Sequence, residues 1–588
     1  MSLPGLELAQ PSSFEARSAP APPTQISLSK GSEWRFEVAF GTTVRVKLLA
    51  GTAELFGTEL AASQTYTFSG TKGAIYTWHG CTLEVSDGGP LSTGGIITSA
   101  PVQPGSGSGG CQVDYTAEET PMVDYANVHF ALETMRQEAK AAGREAPRVL
   151  ILGPEDAGKT SVTKILTSYA TKIGRQPVVV NLDPAEGMLS VPGSLAATAF
   201  KSMIDIEEGW GSSPMSGPSP IPVKLPLVYF YGLQSPLDAD GSLYKPIISR
   251  LALAVMGRLA EDPEAREAGV IIDTPGIISQ GKGVGDDIIH HIVTEFSVST
   301  ILVLGSERLY STMLKAYDSK PVSTSATAAS STSSPSSQRI SVIKLSKSGG
   351  VVDRDASFMK SLREAQIREY FFGNPIPSTA SSALSVSAGS SGTTITLSPH
   401  AQQLDFDALA IYDINIAEED NDDYDPSSFA MGDSFLPGGS GADDMESTTQ
   451  QQQHSGGGDT QSGSTSGGGT SSFLPGLSGA PSTSNPHHPT SSSSATQYTS
   501  IPLKKLPSSP SSPPPLTLEN TLLAITLAPP NAPLSEIRDA SVMGFLYVAS
   551  VDDKKGKIRV LAPIGGRVPP RAMVWGRRWP GELVGLVG

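Results

Sequence analysis

One nine-residue segment, residues 153–161, constrains the fold of this chain more than any other part of the sequence. It reads Gly-Pro-Glu-Asp-Ala-Gly-Lys-Thr-Ser and fits G-x-x-x-x-G-K-[ST], the pattern of a loop whose backbone amides surround nucleotide phosphates. The apolar run Arg148–Leu152 before it has the length of a strand, and residues 161–170 after it carry apolar side chains at helical spacing. Strand, glycine loop and helix in this order predict an α/β P-loop NTPase domain. A chance glycine turn before a helix is the alternative.

The residue types in this loop suit the chemistry of a bound nucleotide. Gly153 and Gly158 let the backbone turn tightly and approach the phosphates, and the helix that follows offers unpaired N–H groups. We expect Lys159 to reach the β- and γ-phosphates and the Thr160 hydroxyl to hold Mg²⁺.

The composition predicts several domains and some unstructured chain within 588 residues. Hydrophobic residues make up 38% of the sequence, below the usual share for a fully globular chain. The formal net charge is −16, but residues 401–450 contain thirteen acidic residues and no Lys or Arg. The rest of the chain therefore carries only a small negative charge, which does not exclude binding to RNA.

The cysteine content and the apolar runs indicate a cellular compartment. Cys81 and Cys111 are the two cysteines of the sequence, and without a metal-ligand pattern around them they fit free thiols in a reducing environment. The sequence shows neither a secretory signal nor an apolar run of membrane-spanning length. We therefore expect an intracellular protein with no membrane partner.

The chain divides by pattern into three ordered parts. Short alternating runs between glycine turns predict a small N-terminal β domain, alternating strands and helices predict a central parallel sheet with flanking helices, and strand-like runs return near the C-terminus. Stretches rich in Ser, Thr, Gly and Pro predict disordered insertions. The predicted boundaries are 1–24 for a disordered tail, 25–110 for a β-sandwich-like domain and linker, 119–317 for the P-loop domain, 318–338 for a disordered insertion, 339–378 for a lid and the end of the central domain, 397–438 with 516–588 for the C-terminal β domain, and 439–515 for a low-complexity insertion.

Two aspartates stand at the ends of predicted central strands. Asp183 follows an apolar run, and Asp273 ends Val-Ile-Ile-Asp before Thr-Pro-Gly276. Ligands of open α/β sheets bind at the carboxyl ends of the strands, so a carboxylate there can hold Mg²⁺, through water for Asp273, or accept a proton from an attacking group. The alternative is that each aspartate caps a turn before a helix. The predicted central strands are 148–152, 177–182, 227–231, 269–273 and 299–304.

Eight segments, in order along the chain, carry a resemblance to a known family. They are Glu119-Thr-Pro-Met122, the P-loop, Val191-Pro-Gly193, Pro226-Leu-Val-Tyr-Phe230, Ile271-Ile-Asp-Thr-Pro-Gly276, Glu307-Arg-Leu-Tyr310, Lys347-Ser-Gly-Gly-Val-Val352 and Arg368-Glu-Tyr-Phe-Phe-Gly373. With these segments the chain resembles the pre-mRNA cleavage-factor subunits related to polyribonucleotide 5′-hydroxyl kinases. With the flanking domains, the resemblance covers most of the chain outside the tail and the insertions.

The resemblance implies that ATP and Mg²⁺ are bound from two sides. On the N-terminal side the matching residues are Glu33 and Lys72. In kinase-active members Asp183 would take the proton from an RNA 5′-hydroxyl, and basic side chains on a lid would stabilise the developing charge. On the phosphate side the matching residues are Asp156, Ala157, Gly158, Lys159, Thr160 and Ser161.

The sequence departs from the kinase-active members at the residues that would bind the phosphate acceptor, the RNA 5′-hydroxyl end. Those members carry Asp-x-Gly-Gln where this chain has Asp183-Pro-Ala-Glu186-Gly187, and a Trp where it has Ile277. Isoleucine lacks the π face that makes stacking on an aromatic ring worth about 1–3 kcal/mol per base. These changes favour loss of the kinase activity and resemble the fungal-type branch of the family.

The fungal-type resemblance implies a nuclear, ATP-bound scaffold subunit of a cleavage factor complex, required for pre-mRNA cleavage and polyadenylation. The implied partners are the large polymerase-tail-binding subunit and other 3′-end processing factors, with RNA as a further candidate. The alternative is an active kinase that transfers the ATP γ-phosphate to RNA 5′ ends.

Three further signals are ambiguous in the sequence alone. His290 and His291 are adjacent in a predicted helix, where neighbouring side chains point in different directions, so a shared metal site is disfavoured. Trp210 fits a loop anchor better than a base-stacking platform. Trp575 and Trp579, with two arginines between them, fit an RNA-facing strand pair and ordinary core packing equally well.

Overall fold

The computed structural model describes residues 22–90, 107–207, 225–280, 283–322, 338–373, 398–414, 501–508, 512–583 and 586. All of these residues belong to one compact unit. Most of the predicted tail and insertions, together with Trp210, lie outside the described residues.

The N-terminal domain is a sandwich of two antiparallel sheets. One sheet has the strand order β1-β8-β3-β6 and the other β5-β4-β7-β2-β9. Trp34 and Phe36 of β2 pack with Phe68 and Leu83 between the sheets, because alternate residues of a strand face the same side. The strands are β1 Thr24–Leu28, β2 Glu33–Glu37, β3 Thr42–Gly51, β4 Glu54–Leu55, β5 Thr58–Glu59, β6 Thr65–Phe68, β7 Lys72–Tyr76, β8 Cys81–Pro90 and β9 Val113–Ala117.

The end of this domain, predicted at residue 110 together with a linker, is wrong, because two strands lie at or beyond the predicted linker. Strand β8 continues to Pro90, and β9, which the pattern did not predict, pairs with β2 at the edge of the sheet. The N-terminal domain therefore extends to Ala117, beyond the predicted boundary at residue 110. Strand β9 is an edge strand with mostly exposed or half-exposed side chains, so it lacks the apolar alternation on which strand prediction rests.

In the described part of the chain, the central domain is a seven-stranded sheet with the order β13-β12-β11-β14-β10-β15-β16. Helices α1 and α2 pack on one face, and α3 and α5 pack on the other. The predicted α/β P-loop architecture between two β domains is confirmed. The helices are α1 Met122–Ala141, α2 Lys159–Lys172, α3 Tyr244–Glu261, α4 Pro263–Ala268, α5 Val284–Glu295, α6 Glu307–Tyr317 and α7 Ala356–Phe372, and the strands are β10 Arg148–Leu152, β11 Val178–Asn181, β12 Ser194–Ala199, β13 Leu227–Phe230, β14 Val270–Asp273, β15 Thr300–Leu304 and β16 Ser341–Leu345.

The central sheet is mixed, which corrects the prediction of a purely parallel sheet. Strands β11, β14, β10, β15 and β16 run parallel, whereas β12 and β13 pair antiparallel at one edge. Strand β13, within the run predicted at 227–231, therefore runs in the same direction as the five parallel strands, and β12 between them runs in the opposite direction. Strand β12, Ser-Leu-Ala-Ala-Thr-Ala, escaped prediction because alanine has little preference for strands.

Among the described helices, none combines the length and the apolar character that crossing a membrane requires.

The insertion predicted at 318–338 is ordered at both of its ends. The Ser319 N–H donates to the Ile340 carbonyl at 2.9 Å, and the Val322 N–H donates to the Gln338 carbonyl at 3.0 Å. Residues 323–337 lie outside the described part.

The C-terminal domain is a seven-stranded sheet with the order β17-β22-β21-β20-β23-β18-β19. Phe545 of this sheet lies 5.8 Å from the Phe230 ring and 5.7 Å from the Tyr370 ring of the central domain, measured between ring centroids. One short strand, β19, falls inside the insertion predicted at 439–515, and that boundary is therefore wrong. The elements are β17 His400–Asp405, β18 Ala410–Ile414, β19 Leu503–Lys505, β20 Leu522–Thr526, α8 Leu534–Arg538, β21 Val542–Asp552, β22 Lys557–Ala562 and β23 Ala572–Trp575.

Candidate nucleotide site

The loop between β10 and α2 has the backbone geometry that a phosphate-binding loop requires. Every residue of β10 is buried, so the loop starts from a fixed position in the centre of the sheet. Asp156 and Gly158 have positive φ angles of 47° and 87°, which turn the chain back over the first turn of α2. No side chain caps the N-terminus of α2, so its first N–H groups are available to anionic oxygen atoms.

The other predicted loop residues surround this helix N-terminus. The Lys159 ammonium group is buried with the loop and donates to the Pro154 carbonyl at 2.8 Å. The Gly153 N–H donates to the Ser279 hydroxyl at 3.2 Å. Ala157 is buried in the core beneath the loop, and Ser161 lies in the first turn of α2.

Thr160 and Asp273 form the pair that suits a hydrated cation. The Thr160 hydroxyl donates to Asp273 Oδ2 at 2.6 Å, and the other carboxylate oxygen accepts from the Thr274 N–H at 3.1 Å. Burial raises the pKa of Asp273 to about 6, against the opposing effect of the Thr160 hydrogen bond. The carboxylate is therefore largely ionised at neutral pH. Hydroxyl and carboxylate oxygens side by side are the ligand types that Mg²⁺ prefers.

Gly276 brings the strand-end turn of β14 against the phosphate-binding loop. A Cβ atom at this position would lie 2.4 Å from the Glu155 backbone nitrogen, which is closer than non-bonded atoms approach. The Thr274 hydroxyl donates to the Ile151 carbonyl at 2.7 Å and ties the same turn to β10. A residue without a Cβ atom is therefore required for this close approach of the two turns.

Asp183 lies at the same sheet edge as Asp273, since Asn181 of β11 pairs with Asp273 of β14. Asp183 Oδ1 accepts from the Ala185 N–H at 2.9 Å, so the side chain also supports its own turn. Burial, followed by the charge of Glu186, raises the pKa of Asp183 to about 7. A carboxylate with such a pKa can exchange a proton at neutral pH.

One residue that the sequence did not single out, Arg354, joins the phosphate-binding loop to the loop after β11. Arg354, in the loop between β16 and α7, donates from Nε to Asp156 Oδ1 at 2.7 Å and from Nη2 to Glu186 Oε1 at 2.6 Å. The sequence predicted basic residues on a lid without selecting one. A signal was available, because Arg354 lies two residues after the matching segment Lys347–Val352.

Glu33 and Lys72 lie on the face of the N-terminal sheet that meets the loop before α7. Glu33 is buried and accepts from Arg35 Nε at 2.5 Å, and Arg35 in turn contacts the backbone of Gly350 so closely that a Cβ there would lie 2.6 Å from its Nε. Lys72 pairs with Glu37 at 2.8 Å, and its ammonium lies 5.0 Å from the centre of the Phe358 ring. Glu33, through Arg35, and Lys72, through Phe358, thus lie against residues 350–358, the segment that also contains Arg354.

Of the two tryptophans near the C-terminus, Trp575 lies in the core, and Trp579 lies beside Asp183. We call the surroundings of Asp183, where an RNA 5′-hydroxyl would have to bind for kinase activity, the acceptor side. Trp575 is buried and donates from Nε1 to the Thr521 hydroxyl at 2.8 Å, so core packing accounts for it. Trp579 donates from Nε1 to the Pro184 carbonyl at 2.9 Å, beside Asp183, and the Arg363 guanidinium carbon lies 4.5 Å from its ring centre. Ile277 is partly buried and packs against the main core.

The two adjacent histidines have separate partners, as the sequence predicted. His291 Nε2 lies 3.0 Å from the Ser249 hydroxyl, and His290 Nδ1 lies 3.4 Å from the Tyr317 hydroxyl. Across the residues that the structure describes, no group of three or more His, Cys, Asp or Glu side chains could hold a metal ion.

Three family models match parts of the chain. Residues 27–139 match the N-terminal beta-sandwich domain of polyadenylation factor, and residues 153–339 match the mRNA cleavage and polyadenylation factor CLP1 P-loop. Residues 470–581 match the pre-mRNA cleavage complex II protein Clp1.

Curated relatives and solved structures match over nearly the whole chain. The mRNA cleavage and polyadenylation factor CLP1 of Coccidioides immitis is 68% identical over 593 residues, covering 100% of both chains. Its namesake from Neosartorya fischeri is 66% identical over 594 residues, again covering 100% of both. A structure of a wild-type Clp1p–Pcf11p complex has a TM-score of 0.64 and 26% identity and covers 94% of this chain and 97% of that one.

A second structure, described as showing an extended interface between Pcf11p and Clp1p and the structural basis for ATP loss in a glycine-to-arginine point mutant, has a TM-score of 0.64 and 25% identity. It covers 94% of this chain and 98% of that one. The resemblance seen in the eight sequence segments is confirmed by full-length identity and by fold, and the chain belongs to the family of the mRNA cleavage and polyadenylation factor CLP1.

Proposed function

We propose that this protein is an ATP-binding scaffold subunit of a nuclear pre-mRNA cleavage factor complex, needed for cleavage and for polyadenylation-dependent 3′-end formation. In this function ATP with Mg²⁺ is a structural ligand that stabilises the arrangement of the N-terminal and central domains. Membership of the family of mRNA cleavage and polyadenylation factors supports a role in this process. The geometry of the phosphate-binding loop supports the role of the nucleotide.

The observation that carries this proposal is the meeting of three parts of the chain at the phosphate-binding loop. Val351 packs so closely against Gly158 that a Cβ there would lie 2.9 Å from its Cγ2 atom. The neighbouring Gly350 contacts Arg35 of the N-terminal domain. A ligand held by the loop would therefore touch, or lie beside, residues of both domains, and would stabilise their contact by mass action.

Named residues have defined roles in this proposal. Backbone N–H groups of residues 156–161 and the Lys159 ammonium bind the phosphate oxygens, and Thr160, with Asp273 through water, holds the cation. Glu33 and Lys72 bind the adenosine side. The start of α2 at Lys159 and the hydrogen bond from the Thr160 hydroxyl to Asp273 support these roles.

The proposed partner is the large subunit of the complex that also contacts the polymerase tail. Solved Clp1p structures contain Pcf11p, and we propose that its counterpart binds this chain, alongside other 3′-end processing factors.

The test is the nucleotide content of the freshly purified full-length protein. We expect about one ATP per chain, determined by chromatography of the acid-released nucleotide, and a lower melting temperature with weaker partner binding in Lys159→Ala and Thr160→Ala. A chain that is purified without nucleotide and shows no measurable affinity for ATP would refute the proposal.

A second function, transfer of the ATP γ-phosphate to an RNA 5′-hydroxyl, is supported by one observation. Asp183 has a pKa raised by burial to about 7 and lies at the same sheet edge as Asp273, which suits a general base. Incubation of γ-labelled ATP with a 5′-hydroxyl oligonucleotide separates the two functions. Label transfer that disappears in Asp183→Asn would establish the kinase, and bound ATP without transfer would leave the scaffold.

A further inference from the structure

Arg354 forms hydrogen bonds with two loops of the candidate nucleotide site. Its backbone N–H donates to Asp156 Oδ2 at 3.1 Å, and its Nε donates to Asp156 Oδ1 at 2.7 Å. Its Nη2 donates to Glu186 Oε1 at 2.6 Å. Asp156 belongs to the phosphate-binding loop and Glu186 to the loop after β11, so a single guanidinium group connects the two.

Helix α7 fixes the position of the loop that carries Glu186. Gln366 on this helix donates from Nε2 to the Gly187 carbonyl at 2.9 Å and accepts from the Gly187 N–H at 3.3 Å. The helix and the loop after β11 are thus fastened together one residue from Glu186. Any opening between α7 and the phosphate-binding loop must therefore break the bonds between Arg354 and Asp156, or separate α7 from the loop that carries Glu186.

The three side chains are shielded enough for their charges to matter. The exposed fractions are 28% for Arg354 and 19% for each of Asp156 and Glu186. Hydrogen bonds between charged groups are roughly twice as strong as neutral ones, and partial burial spares them most of the screening that weakens surface pairs.

We propose that Asp156, Glu186 and Arg354 form a latch across the candidate nucleotide site, and that bound nucleotide dissociates only after Arg354 releases one of these two carboxylates. The inference rests on the proposed function, because it concerns the retention of the ATP held there. It gives the glutamate at position 186 a role, since a neutral glutamine could accept the same hydrogen bond but would supply no opposite charge.

The opposite role for Glu186 is repulsion of an anionic ligand. The two roles predict opposite signs for Glu186→Gln. A latch that is weakened releases nucleotide faster, whereas the removal of a repelling charge slows release.

The experiment measures the dissociation rate of a fluorescent ATP analogue from the full-length protein, chased with excess unlabelled ATP and Mg²⁺. We expect Glu186→Gln to raise the rate about tenfold, the effect of losing one charge-assisted hydrogen bond, and Arg354→Met to raise it further. Glu307→Gln, which breaks the surface ion pair with Lys344 on the same domain, is the matched control and should leave the rate unchanged.

Each outcome decides one proposal. An unchanged or slower rate in Glu186→Gln, with wild-type protein that binds the analogue, overturns the latch and leaves the ATP-binding function standing. Equal acceleration in Glu307→Gln would trace the effect to general destabilisation and also overturns the latch. Wild-type protein that binds no analogue overturns both proposals.

Discussion

The nucleotide side and the acceptor side of the cleft are built in different ways. On the nucleotide side, the Thr160 hydroxyl donates to Asp273 at 2.6 Å. The Thr274 hydroxyl donates to the Ile151 carbonyl of the buried strand β10 at 2.7 Å. On the acceptor side, Asp183 is followed by Glu186, which engages Arg354, and Trp579 of the C-terminal domain is bonded to the Pro184 carbonyl.

This difference favours the view that a chain of this fold can bind a nucleotide without transferring its phosphate. On the nucleotide side, Lys159, Thr160 and Asp273 lie together around the N-terminus of α2. On the acceptor side, Arg354 is paired with two carboxylates, and Ile277 packs with the core instead of presenting a flat ring. Apart from the proposed latch of Asp156, Glu186 and Arg354, which joins the two sides, substitutions on the two sides should therefore have effects of different kinds.

The largest effect is expected for Lys159→Ala, which should weaken ATP binding about 100-fold because two or more charge-assisted hydrogen bonds to phosphate are lost. Isothermal titration calorimetry of nucleotide-stripped protein measures the change. Lys140→Ala, on α1 and paired with Glu267 at the surface, is the control. Similar losses in both variants would contradict the assignment of Lys159.

Gly276→Ala should cost about 2 kcal/mol of unfolding free energy and lower ATP affinity, because its Cβ would meet the Glu155 backbone nitrogen at 2.4 Å. Urea denaturation followed by circular dichroism provides the number. Gly257→Ala in α3, where a Cβ meets nothing within 4 Å, should instead stabilise the protein by about 0.5–1 kcal/mol. A neutral Gly276→Ala would show that the turn is free to move away from the loop.

Asp183→Asn should leave ATP affinity unchanged and stabilise the nucleotide-free protein at pH 8 by about 1–3 kcal/mol. The folded pKa of Asp183 is raised to about 7, so the folded state holds its proton more tightly than the unfolded chain does. Its contribution to stability is present at pH 4 and is lost as the pH rises towards 7. Asparagine removes this loss, so the two proteins should differ little at pH 4.

The control for this pH effect is Asp552→Asn. A hydrogen bond from Lys555 lowers the pKa of Asp552, so its sign is opposite and the variant should not gain stability at pH 8. Denaturation curves at the two pH values for both variants are the measurement. A gain for Asp183→Asn that is the same at pH 4 and pH 8 would contradict the raised pKa.

The smallest effect is expected for Trp579→Phe, which removes the hydrogen bond to the Pro184 carbonyl but keeps a ring beside Arg363. The loss should be about 1 kcal/mol of unfolding free energy, with ATP affinity unchanged. Thermal denaturation and calorimetry measure the two quantities. A large loss of ATP affinity would show that the acceptor side controls the nucleotide side and would remove the contrast between them.

The nucleotide side was predictable from the sequence because its residues are contiguous or end a strand. The glycine pattern fixes the order of strand, loop and helix, and the positions of Lys159 and Thr160 follow from it. Asp273 was found from its place after three apolar residues, because parallel strands present their carboxyl ends at one edge.

The acceptor side was only partly predictable, since its contacts join distant parts of the chain. Arg354 and Glu186 are 168 positions apart, and Trp579 and Pro184 are 395 apart, so no local pattern links them. The missed strands β9 and β19 are short edge strands whose partners alone define them. The mixed character of the central sheet depends on the reversed strand β12, whose alanines gave no strand signal.

The pairing of Ile414 with Leu503 means that the polypeptide leaves the C-terminal sheet and re-enters it at neighbouring points. The free energy of closing the excursion between them grows only with the logarithm of its length, by about 0.6 kcal/mol for each doubling. Evolution can therefore lengthen, shorten or rewrite those residues almost without thermodynamic penalty to the sheet. The connection between these two strands is therefore a place where sequence can be added at little cost to the C-terminal sheet.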